Sequence, residues 1–274
     1  MAGYAEGPIT KPPSWHGLVA AELLLNGLST GLFLVAALAE LTVPVLFASV
    51  AKAAYLIALA LLLIDLLLLT IDLGDPWRFH HMLRVFKPTS PMSLGVWCLT
   101  AWSLPLVLAA ALGLLADAPA WIEVARRAAV IAALIPAFGS AIYKGVLFST
   151  SAQPVWRDAR WLGAYLATSA LALGCGSLHA LAVLLGEEAS PLAFALFAAL
   201  LIHLTAAMLL RESLAADQKQ PWFGLGNLAL AAVVIPLCVL FARHTVLHAL
   251  IADGLLLVGA LIVRIVIVTQ PHPS

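Results

Sequence analysis

The chain has 274 residues, 63% of them apolar, with 14 Lys plus Arg and 14 Asp plus Glu. A soluble domain of this length would carry roughly 68 charged residues, and 28 cannot cover the surface of one water-soluble core. Eight bilayer-spanning helices of ~20 residues would use about 160 positions and leave the rest for loops and ends. Zero formal net charge gives no reason to invoke nucleic acid.

Leu18 to Leu41 is apolar except for Glu22, Asn26, Ser29, Thr30 and Glu40, and is read as a retained first span rather than a signal peptide, its apolar run being too long for the latter. Further spans are expected at 51–73, 92–115, 124–148, 161–185, 190–210, 222–241 and 246–268, giving an all-α, single-domain bundle of eight transmembrane helices over residues 1–274. These runs are apolar on both parities, which excludes the alternating strands of a membrane barrel. Eight spans put both termini on one side. That side carries ten basic residues, counting helix ends, against four opposite, and the positive-inside rule assigns it to the cytoplasmic face of the inner membrane.

An ionisable group at membrane depth costs ~3 kcal/mol or more, so each is a functional candidate. Glu22 lies about one turn inside the first span and shares a face with Asn26, Ser29 and Phe33, a stripe able to hydrogen-bond a polar head group or, more plainly, a Glu that snorkels to the interface. Asp65 and Asp72 are seven apart on one face of the second span and could form a proton route; helix–helix hydrogen bonding by Asp65 is the plainer alternative. Tyr143 and Lys144 stand above the small residues Gly139 and Ser140 near the end of the fourth span, where a phenol can donate to a ligand carbonyl or serve only as an interfacial anchor. His179 and His203 fall near the middle of two successive spans, a possible axial pair for haem b, although histidines in bundles more often act as polar glue. The three cysteines have no CxxC spacing, so no iron–sulfur cluster and no metal site is expected in this chain.

The loop 73–91 mixes basic and aromatic residues with Pro76, Pro88 and Pro91, and Ser90-Pro91 reads as a helix cap. Such a loop suits a docking surface or a cover over a lipophilic ligand, with His80 a ligand-contact candidate and Arg78, Arg84, Lys87, Arg157 and Arg160 the docking charges. The run DLGDPWRFHHMLRVFKPTSPMSLGVW, together with Trp15-His16, the Asn26-Gly27 to Gly31 stretch and Tyr143-Lys144 leading to Gln153-Pro154-Val155-Trp156, resembles the NrfD/PsrC family over roughly residues 14–160.

That resemblance implies an eight-helix, haem-free quinone-reactive anchor coupled to a ferredoxin-like iron–sulfur subunit and a molybdopterin catalytic subunit. It implies a site for a quinone, menaquinone or ubiquinone, among the first, second and fourth helices. There Tyr143 matches a quinone-contacting Tyr, and Glu22 stands where the polysulfide reductase subunit has a quinone-contacting His. Asp75 replaces an Arg often found after Asp-Leu-Gly. The expected function is electron exchange between the quinone pool and the iron–sulfur partner, with Glu22, Asp72 and Asp65 handling protons and Glu22, Asn26, Tyr143 and His80 binding the ring. A proton-coupled transporter or ion-translocating subunit without redox role is the competing class.

Overall fold

The computed structural model describes residues 17–115, 118–151, 153–157, 159–214, 228, 232–237 and 246–269. Helix α1 spans Gly17–Thr42 and α2 Pro44–Asp72, followed by a 3-10 segment, Pro76–Leu83. Then come α3 (Pro91–Gly113), α4 (Ala120–Ser149), the single turn α5 (Pro154–Arg157), α6 (Leu162–Leu185), α7 (Ser190–Ser213) and α8 (Val246–Thr269). Seven of these are long and apolar enough to cross a membrane, and no strand occurs among the described residues. The remaining expected span, 222–241, lies outside the described residues except for 228 and 232–237, which are helical. An all-helical fold is what hydrocarbon demands, because only a helix satisfies its backbone polar groups within one segment.

The ends follow local chemistry. A single residue, Val43, separates α1 from α2, and Pro44 occupies the first turn of α2. The expected loop before residue 51 is therefore helix: proline lacks an N–H at a position where a first helical turn needs none, so it starts α2 instead of breaking it. Ser90 caps α3 by accepting the Ser93 amide. Gly186 ends α6 in the left-handed region at φ 73°. Between α6 and α7 the exposed Glu188 carboxylate accepts the Ser190 amide at 3.0 Å, a bond that holds this carboxyl below its ordinary pKa.

Helices α1 and α6 form the centre. In their most apolar stretches 72% and 61% of residues are buried, against 28–44% in the other five spans. Their backbones touch: a Cβ placed on Gly31 would land on the Ala170 carbonyl, and one on Gly174 would land on the Gly31 carbonyl. A similar contact seats α4 on α6, where a Cβ on Gly145 would lie 2.5 Å from Gly163. Around this centre α1 also packs on α2, α4 and α8, while α3 lies along α4 and meets α2 more lightly. Large apolar side chains such as Leu63, Leu67, Leu104, Ile135 and Ile202 point outward, as a lipid-facing surface requires. Trp156 of α5 is fully buried and donates its indole N–H to the Ile267 carbonyl at 2.9 Å, so the α4–α6 connection is pinned to the end of α8.

Candidate functional site

Three helices bring charged side chains together at the end of the bundle where α1 begins and where α2 and α4 finish. Lys144 of α4 donates to Glu22 Oε1 of α1 at 2.6 Å, and its Nζ lies 3.7 Å from Asp65 Oδ1 of α2. Asn26, one turn along α1 from Glu22, bridges the other two helices by donating to Asp65 Oδ2 at 3.3 Å and to Ser140 Oγ at 3.2 Å. All five of these polar residues are buried, Lys144 and Glu22 at 6% exposure and Asp65 at 1%. Asp65 Oδ1 makes no hydrogen bond among the described residues. One ammonium thus serves two carboxylates away from bulk water, where each charge depends on its partners.

A cavity of about 130 Å³ adjoins this cluster. Glu22, Lys144 and Tyr143 form its polar end, Asp72 stands at its rim, and Val19, Leu69, Leu73, Met82, Met92, Val96, Leu147 and Phe148 supply apolar walls. Tyr143 owes its position to Gly95 of α3, since a Cβ there would fall on the phenol ring. The Gly95-x-Trp97 pattern therefore matters to the site through what it leaves out. Lys144 Nζ is 5.8 Å from the centre of the Tyr143 ring.

The expected site residues divide cleanly. Glu22, Tyr143 and Asp72 line the cavity, whereas Asn26 and Asp65 stand behind it and reach it through Lys144. His80 does not line it; it lies on the exposed 3-10 segment with its ring 4.4 Å from that of His81. The expected docking residues Arg78, Arg84, Lys87, Arg157 and Arg160 are all exposed at the same end of the bundle. Asp75, at the position where the resemblance leads one to look for Arg, pairs with Arg78 at 3.0 Å and so closes the turn internally. Lys144, which the sequence marks only as a basic residue beside Tyr143, joins the two carboxylates.

A second charged cluster occupies the other end of the same three helices. Arg126 of α4 pairs with Glu40 of α1 and with Glu123, and Tyr55 of α2 donates to Glu40 Oε2 at 2.6 Å. Glu40 and Arg126 are 1% and 0% exposed. Eighteen residues of helix separate Glu22 from Glu40, about 27 Å. Between them Ser29 bonds the Ala58 carbonyl, and Phe33 packs against Tyr55 and Trp102. Of the two histidines considered for haem, His203 has Nδ1 3.0 Å from Thr168 Oγ1 and its ring against Tyr165, and His179 is buried on α6. Among the described residues no three His, Cys, Asp or Glu side chains converge to hold a metal ion.

The sequence profile described as "Polysulphide reductase, NrfD" matches residues 9–272. The chain belongs to the NrfD family. Members of the NrfD family are membrane subunits of respiratory oxidoreductase complexes. The match extends the likeness beyond residue 160, to residue 272. No curated protein matches the chain.

Proposed function

We propose that this NrfD-family chain binds a quinone in the cavity at the Glu22–Lys144 cluster and exchanges two electrons and two protons with it. The electrons pass between the quinone and an iron–sulfur cluster in a ferredoxin-like subunit docked on the same end of the bundle, itself joined to a molybdopterin catalytic subunit. The observation that carries this reading is the form of the cavity: apolar walls closed at one end by a phenol, an ammonium and a carboxylate drawn from two helices. A quinone has that shape in chemical terms, a flat apolar ring with carbonyl oxygens that need donors. Tyr143 and Lys144 are donors, and Glu22 is hydrogen-bonded to Lys144 at 2.6 Å, so a proton moving to the ring can be replaced along Glu22, Lys144 and Asp65 without opening the cluster to water. Asp72 at the rim supplies the link to the aqueous side.

The competing transporter reading draws on the second cluster at Glu40 and Arg126. Against it, the interval between the clusters is filled by buried Phe33, Ala58, Leu62, Ala133 and Ala137, and a transport path needs groups that water or an ion can wet. The test is isolation of the tagged full-length chain from its own membrane in mild detergent. Extracted quinone, with a co-purifying polypeptide that carries iron and acid-labile sulfide, is the expected result. Absence of both would favour the transporter, and a b-type absorption spectrum would turn the reading toward haem.

A further inference from the structure

Beside the polar cavity lies a second one of about 170 Å³, between α2, α3 and the 3-10 segment. The two share Leu69, Leu73, Met82 and Val96, so they adjoin, one at the charged end of the site and the other at the seam where α2 and α3 meet. We propose that this second cavity receives the isoprenoid tail of the quinone, which enters sideways from the bilayer between α2 and α3 beneath Pro76–Leu83. The inference rests on the quinone reading of the first cavity.

The chemistry of the lining selects a hydrocarbon occupant. Its three hydroxyls are spent on their own helices: Thr70 donates to Leu66 O at 2.7 Å, Thr100 to Val96 O at 2.9 Å and Ser103 to Thr100 O at 3.0 Å. What remains facing the cavity is hydrocarbon and thioether. The seam is lightly packed, because α3 lies chiefly along α4 and meets α2 over a shorter stretch. Met82, the one half-buried residue of the 3-10 segment, lines both cavities, and its unbranched side chain adapts readily to a branched methyl chain. Trp77 and Phe79 on the same segment are 85% and 52% exposed, in the manner of aromatic side chains seated at a membrane interface.

Binding to the full chain, with whatever subunits co-purify, tests the assignment. The probes are 2,3-dimethyl-1,4-naphthoquinone against menaquinone-4 and, in parallel, ubiquinone-0 against ubiquinone-4, each pair sharing a ring and differing in the tail. Thr100→Phe or Ser103→Phe should weaken the tailed member of the binding pair by roughly tenfold or more and leave the bare ring within about twofold. Unchanged affinity of the tailed quinone would overturn the tail subsite, and so would equal loss of both members. Failure of all four probes on the unsubstituted chain would instead overturn the quinone reading itself. A menaquinone-4 analogue with a diazirine at the tail end tests the unsubstituted chain directly. Labels within 66–73, 79–83 or 99–103 support the assignment, and labels confined to α1, α6 and α7 contradict it.

Discussion

Lys144 neutralises carboxylates from two different helices, so its loss should be felt beyond its own contacts. Lys144→Met leaves Glu22 and Asp65 buried without a cation, at a cost on the order of 3–5 kcal/mol, seen as a lower unfolding temperature of the detergent-solubilised protein. Adding Glu22→Gln to that variant should restore part of the loss; an unaltered melting temperature in the single variant would show that the cluster is neutral. Tyr143→Phe removes the hydrogen bond proposed from the phenol to the quinone in a low-dielectric cavity, worth ~1 to 3 kcal/mol, and should weaken quinone turnover roughly five- to 150-fold. An unchanged quinone dependence would reduce Tyr143 to an interfacial anchor. Glu22 and Asn26 were legible in the sequence because polar residues one turn apart stand out in an apolar span. Lys144 was not. A lysine near a helix end can bury its charge or extend it to water, and only the rotation of α4, set by Gly145 against Gly163, decides which.

Among the elements, α1 and α6 hold the bundle through backbone contact at Gly31, Ala170 and Gly174. Gly174→Leu cannot be accommodated without moving one helix, so little folded protein should be recovered from the membrane; normal yield would contradict the contact. The far-side pair is expected to behave differently from the site. Glu40→Gln weakens the tie among α1, α2 and α4 at that end and should cost on the order of 3 kcal/mol of stability, while quinone turnover by the surviving protein stays near normal. A loss of turnover at unaltered stability would mean that the far cluster takes part in the chemistry. Hydropathy located the spans that the structure describes because lipid imposes a length and a polarity. It did not reveal the one-residue α1–α2 joint, the 3-10 segment or the partners of each helix, because those depend on small residues that let backbones meet. The arrival of Asp65 beside Lys144, 79 positions along the chain, is one product of that packing.

For the whole molecule, the exposed basic residues at the site end are the surface proposed to receive an acidic iron–sulfur subunit. Charge reversal at Arg84 or Lys87 should release that partner at lower salt than the unsubstituted complex tolerates, since such charges mainly set orientation and association. Cross-links found only at Lys52 or Arg127, on the opposite end, would overturn the docking face. The count of basic residues leads one to expect this face on the cytoplasmic side, so a cysteine introduced at Ser151 should stay unlabelled by an impermeant reagent applied to intact cells; labelling would invert the orientation. The most direct measurement of the central claim compares two activities of the assembled complex carrying Glu22→Gln, one linked to quinone and one to an artificial dye that reaches the partner subunit without this chain. The substitution keeps the shape of the side chain and removes its titratable proton. Dye-linked turnover should persist while quinone-linked turnover falls roughly a hundredfold or more. Quinone-linked turnover that survives intact would contradict a role for Glu22 in moving the protons, and an equal fall in both would make Glu22 a residue of assembly.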